Sequence, residues 1–259
     1  MNITVCVREI LDPEIPSKAF KIDAEAKRAV KLPDVELVIS DYDARALEAA
    51  LQIKDSLESK ITVISLGAES AKNVIRRCIA MGADEGILIS DPSFDDSDSF
   101  ATACVLAEAI KKQGDFELIL CGIQEGDWDA GQVGSGIAEL LSIPSVTRVG
   151  NIEVKDGGVV VERVVADGRE TLEMPFPALV TVSSEIGEPR YPSIRRVREA
   201  SKQEIPTWNA QDIAPVIPRN ELISLFIPSR ELECEFIAGE TPEEMGSNLA
   251  LKLREAKTI

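Results

Sequence analysis

The sequence predicts an α/β protein: a mainly parallel sheet with helices on both faces. Three observations predict it. Short apolar runs alternate with segments of helical pattern. The connections between those runs are far too long for hairpins, which implies parallel neighbours joined by crossovers. One run, residues 117–121, ends at Gly122 and passes through an acidic, glycine-containing loop into a helix. That order puts backbone N–H groups and a helix N-terminus at the carboxyl end of a strand, where parallel sheets hold nucleotide phosphates.

Residues 3–7 read as the first strand. Residues 35–39 form an apolar run leading into Ser40-Asp41-Tyr42-Asp43, a polar cluster suited to capping a helix over 44–56. The next strand is 61–66, closed by Gly67, and a helix over 71–81 stops at Gly82. A strand at 86–90 and a helix over 100–113 complete the alternation before the run at 117–121. In the loop, Asp129 or a neighbour is expected to cap the following helix, and Gly131 and Gly134 leave room for a ligand oxygen near the backbone. The amides of Gly131, Gln132, Val133 and Gly134 are candidate phosphate donors. No Walker signature and no complete G-x-G-x-x-G is present, so an ordinary strand–loop–helix connection stays open. Glu125, Asp127 and Asp129 would repel a phosphate unless they point outward, bond ribose hydroxyls or cap the helix.

Beyond Pro144 the texture changes. Residues 151–165, with the turn signal Lys155-Asp156-Gly157-Gly158, predict a β-hairpin, and 178–182 another strand. Residues 188–228 hold six prolines with few periodic segments, a stretch that a compact domain spends only on covering another surface. Thr241-Pro242-Glu243-Glu244 then caps a final helix running to about residue 256. The expected organisation is an α/β domain over 1–190 and, over 191–259, a proline-rich C-terminal arm ending in a helix that packs on a partner.

A length of 259 residues and 44% hydrophobic content allow a sizeable core, and a formal charge of −17 argues against nucleic acid or an anionic membrane as partner. No stretch approaches the ~20 apolar residues of a membrane span, and the first ten residues have a strand pattern, so a cytoplasmic location is expected. The five cysteines are scattered without a C-x-x-C pair and read as reduced thiols. With no histidine, Ser-His-Asp and Cys-His catalysis and histidine-ligated metals are excluded. No catalytic side chain or metal ligand is expected; a cofactor would carry any chemistry.

Four segments in register together resemble the beta subunit of electron-transfer flavoproteins, the FixA-type family. They are Ala80-Met81-Gly82-Ala83-Asp84; the loop from Gly122 to Gly134; Val161-Glu162-Arg163 through Asp167-Gly168-Arg169-Glu170-Thr171-Leu172 to Pro177-Ala178-Leu179-Val180-Thr181; and Glu188-Pro189-Arg190-Tyr191. The resemblance implies an adenine-nucleotide-binding, Rossmann-like domain and an alpha-subunit partner that shares FAD with this chain. It further implies AMP in the beta subunit's own site, or a second FAD in electron-bifurcating members that react with NADH. It implies that Cys6, Ser40, Ser65, Leu66, Gly122, Asp127 and the amides of Gly131, Gln132, Val133 and Gly134 line that site, although core packing is the competing role for Cys6 and Leu66. The chain departs from the family pattern in three places. Ser40-Asp41-Tyr42-Asp43 stands where many relatives have Asn-Pro-aromatic-Asp, Ile123 where a basic residue is common, and Ala166 where an acidic one is found.

Residues 183–191 correspond to the loop by which the family docks on acyl-CoA dehydrogenases and related flavoproteins. Ile186 falls at the aliphatic anchor, with Gly187, Glu188, Pro189, Arg190 and Tyr191 beside it. Internal packing of Ile186 and an ion pair for Arg190 are the competing reading. The function implied is electron carriage between a flavin dehydrogenase and a downstream acceptor. A stand-alone nucleotide-binding or stress-type α/β protein is the alternative from another class.

Overall fold

A computed structural model describes residues 1–30, 35–228 and 234–259. In chain order the chain opens with the strands β1 (Asn2–Cys6), β2 (Glu9–Leu11), β3 (Ile22–Asp23), β4 (Arg28–Ala29) and β5 (Leu37–Ile39). There follow α1 (Asp41–Ser56), β6 (Lys60–Leu66), α2 (Lys72–Met81), β7 (Glu85–Ile89), α3 (Ser99–Gln113), β8 (Leu118–Gly122) and α4 (Val133–Leu141). The remainder comprises β9 (Ser145–Lys155), β10 (Gly158–Val165), β11 (Gly168–Pro175), β12 (Ala178–Val182), α5 (Ile194–Ala200), β13 (Thr207–Trp208) and α6 (Pro242–Glu255). Residues 229–233, within the expected arm, lie outside the described residues.

Contacts divide the chain into two compact units, Met1–Lys21 with Ala29–Ile223, and Ile22–Arg28 with Ser224–Ile259. The first holds a nine-stranded sheet in the order β11-β10-β9-β12-β8-β1-β6-β7-β13. Every pair from β9 across to β13 is parallel, while β9, β10 and β11 run antiparallel to one another. The period-2 alternation of the strands decides which face each side chain serves. Ile3, Val5, Leu118 and Leu120 pack with α1 and α2 residues such as Leu47 and Ile75. Cys6, Ile119 and Cys121 point the other way, onto Val105 and Ile110 of α3 and Ile137 of α4. The expected parallel sheet covered on both faces is therefore present.

Three local expectations change. Asp129 does not cap a helix: it sits at φ 53°, and α4 begins only at Val133. Its side chain instead accepts Gln124 Nε2 at 2.7 Å, a bond available within the loop itself. The hairpin extends into a three-stranded meander, because β11 pairs with β10 along its whole length. The proline-rich stretch contributes to the first unit: α5 is capped by Ser193 Oγ, which accepts the Arg196 amide at 3.3 Å, and β13 adds an edge strand beside β7. A seven-residue helix rich in arginine and a two-residue strand carry too little periodicity to be read from sequence.

In the second unit α6 has the expected start. Thr241 Oγ1 accepts the Glu244 amide at 3.2 Å, Pro242 occupies the first turn, and the Glu244 carboxylate reaches back to the Glu240 amide at 2.8 Å. Lys252 pairs with Glu235 at 2.7 Å. No residue of α6 is buried, and Met245, Leu249 and Leu251 stand exposed along it. No helix among the described residues is long and apolar enough to cross a membrane.

Candidate functional site

From β1 the chain moves to β6 and β7 on one side, then returns to the other side of β1 for β8 and β12. The strand order therefore reverses at β1 and β8, and in open parallel sheets ligands bind in the crevice outside the carboxyl ends at such a point. Cys6 ends β1, Ser65 and Leu66 end β6, Gly122 ends β8, and Ser40 precedes α1. The fold thus brings most of the residues expected at a nucleotide site to one edge of the sheet.

Their environments differ. Ser40 is fully buried at the start of α1, where its carbonyl accepts the amides of Asp43 and Ala44, yet its Oγ makes no cap bond and has no hydrogen-bond partner. That Oγ lies 3.3 Å from where a β-carbon on Gly126 would stand, so it is aimed at the loop after β8. Ser65 Oγ is likewise buried without a partner. Buried hydroxyls are nearly always satisfied, so two orphans at one sheet edge point to a polar ligand. Cys6 and Leu66 instead belong to the apolar cluster beneath α3 and α4. The Cys121 thiol is pushed well up by its hydrogen bond to Cys6 and by burial.

In the loop, Gly131 adopts φ 62°, and Gln132 stands at the N-cap of α4 without a side-chain cap bond. The first amides of α4, those of Val133 and Gly134 among them, have no partner within the helix. The absence of a side chain at Gly134 serves packing: a β-carbon there would lie 2.7 Å from Thr181 Cγ2 on β12. Gly122 is similarly enclosed, by Tyr42 and Asp43. Asp127 pairs with Arg8 at 2.9 Å. The Gly131 amide donates to Glu125 Oε2 at 3.0 Å, so an expected phosphate donor is engaged by a carboxylate of its own loop.

One residue at this edge escaped the sequence reading. Asp43, read only as part of a capping cluster, is buried and accepts the amides of Arg8 at 2.9 Å and Gly122 at 3.1 Å. It ties the ends of β1 and β8 to the first turn of α1.

The expected docking segment is held against α1. Arg45 donates to the carbonyls of Ser184 at 3.2 Å and Gly187 at 2.9 Å and pairs with Glu188 at 3.1 Å. Gln52 donates to the Ile186 carbonyl at 3.2 Å, and Glu48 accepts the amide and guanidinium of Arg190. Positions 45, 48 and 52 share one helical face, and polar residues there, among alanines and leucines, are the signal that could have revealed this contact. Ile186 is 9% exposed and joins the main core, which corrects the expectation of an exposed aliphatic anchor. The reason is that its carbonyl and those of its neighbours are claimed by α1, which turns the side chain inward. The apolar side chains that do face solvent are Tyr191, Ile194 and Val197, spaced three apart on the entry to α5 and along it.

A mainly parallel sheet with both faces covered and its strand order reversing at β1 and β8 defines a doubly wound α/β protein. Comparison with known proteins gives the particular family. The electron transfer flavoprotein domain matches residues 30–213, and the chain belongs to the electron transfer flavoprotein family. It is 36% identical over 268 residues to the caffeyl-CoA reductase-Etf complex subunit CarD of Acetobacterium woodii, covering 100% of both chains. It is 35% identical over 269 residues to an electron transfer flavoprotein subunit beta of Thermoanaerobacterium thermosaccharolyticum, again covering 100% of both. The acryloyl-CoA reductase electron transfer subunit gamma of Anaerotignum propionicum is 35% identical over 202 residues, 77% of this chain and 74% of that one.

Proposed function

We propose that the chain is the beta subunit of a heterodimeric electron-transfer flavoprotein, carrying electrons between a flavin dehydrogenase of the acyl-CoA dehydrogenase class and a downstream acceptor. End-to-end similarity to a protein named as such a beta subunit carries this reading. A cytoplasmic location goes with it. FAD shared with an alpha subunit supplies the redox chemistry, which needs no protein nucleophile or metal. The residues at the sheet edge suit an adenine nucleotide: the Ser40 and Ser65 hydroxyls would satisfy polar groups of the ligand. The α4 N-terminus would face its phosphate through the amides of Val133 and Gly134.

Two surfaces support partners. In the second unit, Phe226, Phe236 and the apolar side chains of α6 are exposed, the kind of surface that is buried against another subunit. In the first unit, docking on a flavoprotein partner is assigned to Tyr191, Ile194 and Val197 in place of Ile186, on a frame set by Gly187, Glu188, Pro189 and Arg190. Arg195 and Arg198 lie on the same exposed helix and suit an acidic partner surface.

A second reading has specific support. The names of two relatives connect them with acyl-CoA-type reductases, which favours electron delivery to a reductase by a bifurcating complex with a second FAD in place of AMP. Co-expression with an alpha subunit, followed by extraction and chromatography of the bound nucleotides, separates the readings. One FAD and one AMP per heterodimer supports the first, and two FAD the second. A stable colourless monomer that ignores the alpha subunit would overturn both and favour the stand-alone protein.

A further inference from the structure

The turn from Met81 to Asp84, which closes α2, is held from two sides. Lys54 of α1 donates to the Gly82 carbonyl at 3.2 Å and to the Asp84 carboxylate at 2.6 Å, and Asp84 Oδ2 also accepts the Ile61 amide at 2.7 Å. From the other side, Arg196 of α5 donates to the Met81 carbonyl through Nη1 at 3.1 Å. The last carbonyls of a helix have no partner within it and carry the negative end of its dipole, so two cations suit them. Gly82 leaves the room this needs. A β-carbon there would lie 2.7 Å from Leu51 Cδ2 and 3.4 Å from Arg196 Nη1, and its φ of 146° is one that side chains rarely adopt.

α5 has little else to orient it. It has seven residues, of which only Ala200 is buried, and helices so short are marginal unless something outside them holds them. Ser193 Oγ caps it, but a cap fixes where a helix starts and not what it packs on. At the entry to the segment, Arg190 is clamped on α1 by Glu48 and Asp55, each at 2.8 Å. Arg196 supplies the second anchor, on α2, and the exposed Tyr191 and Ile194 lie between the two in the chain. Arg195 pairs with Glu199 of its own helix and therefore ties α5 to nothing outside it.

Resting on the docking reading above, we infer that Arg196 is a positioning residue for partner docking: bound to the turn that closes α2, it fixes α5 so that Tyr191, Ile194 and Val197 are presented to the partner in one arrangement. Without that anchor α5 must be ordered when the partner binds, and the cost falls on affinity rather than on the electron transfer that follows docking. Loss of one charge-assisted hydrogen bond at a partly exposed site makes the effect about fivefold. The segment Ala80-Met81-Gly82-Ala83-Asp84 thereby gains a role as the seat of the docking helix.

The test uses the full chain, purified with any subunit that accompanies it, as electron acceptor for a short-chain acyl-CoA dehydrogenase supplied with butyryl-CoA. Amide hydrogen exchange over residues 194–201, and the KM and kcat for the complex as acceptor, are measured at low and high ionic strength in the unmodified chain, Arg196→Ala, Arg198→Ala and Ile194→Ala. Arg196→Ala should exchange about fivefold faster over that span and raise the KM about fivefold at both ionic strengths, with kcat nearly unchanged. Arg198→Ala removes a charge from the same helix; it should leave the exchange alone, and any effect it has on KM should fade with salt. Unchanged exchange in Arg196→Ala, faster exchange with an unchanged KM, or a KM effect that fades with salt overturns the inference. If Ile194→Ala raises the KM in that case, the docking reading itself stands. A KM indifferent to Ile194→Ala, or no electron transfer from the dehydrogenase at all, overturns the docking reading and the inference with it.

Discussion

Asp43 fastens Gly122: its Oδ1 accepts the Gly122 amide at 3.1 Å, while its Oδ2 takes the Arg8 amide at 2.9 Å. One carboxylate thereby joins the chain beyond β1 and the end of β8 to the first turn of α1. Burial pushes its pKa up to about 7 against those two hydrogen bonds and the Arg8 charge, and the Glu125 carboxylate adds to the rise.

The pH dependence follows from that direction. The folded chain holds the Asp43 proton up to about 7, whereas the unfolded chain releases it near the ordinary value of 3.8. The contribution to stability is full below the lower value and is lost as pH rises through the upper one. Asp43→Asn cannot ionise, so the melting temperature of the unmodified chain minus that of the variant should fall between about pH 4 and pH 7. A difference that stays flat across that window would contradict the assignment.

Gly131→Val should release the nucleotide. Gly131 sits at φ 62°, and an added β-carbon would come within 3.3 Å of the Ile123 carbonyl oxygen. A β-branched residue at positive φ costs about 1–2 kcal/mol or more and reshapes the loop. The readout is nucleotide content of the purified complex; an unchanged content would move the site elsewhere.

Ile186 and Ile194 make a paired test. Ile186→Ala removes a core side chain and should cost about 2–4 kcal/mol of folding stability. Ile194 is 76% exposed, so Ile194→Ala should change stability by no more than about 0.5 kcal/mol. If it anchors a partner, electron transfer with that partner should weaken about tenfold or more. Normal partner turnover in Ile194→Ala would sink the docking assignment.

Arg190 answers a buried charge. Its guanidinium reaches Glu48 at 2.8 Å and Asp55 at 2.8 Å, and the Glu48 side chain is 7% exposed. Arg190→Ala leaves Glu48 buried without its cation, which should cost about 2–3 kcal/mol after allowance for the partial exposure of Arg190. Arg195→Ala, on an exposed pair, should leave stability nearly unchanged. Urea denaturation compares the two, and equal losses would mean that the Glu48 pair contributes little.

The sequence by itself determined the alternation of strands and helices, the parallel sheet and the cap of α6, because each is written in local terms. Apolar strands buried on both faces, helix stops at glycine and the Thr241-Pro242 start all depend on residues a few positions apart. It also placed Cys6, Ser65 and Gly122 at one edge, since the ends of parallel strands share that edge whatever the register. Only the tertiary structure decided what each side chain there does. Asp43 became a strap because the Arg8 and Gly122 amides, distant in sequence, converge on it, and Glu125 met the Gly131 amide because the loop folds back on itself. Ile186 and Ile194, alike in chemistry and eight residues apart in the sequence, parted company because Arg45, Glu48 and Gln52 of α1 fix the backbone around the first and leave the second in solvent. Long-range hydrogen bonds of this kind have no period for a sequence to display, and they settle which residues of a legible fold face a ligand, a partner or the core.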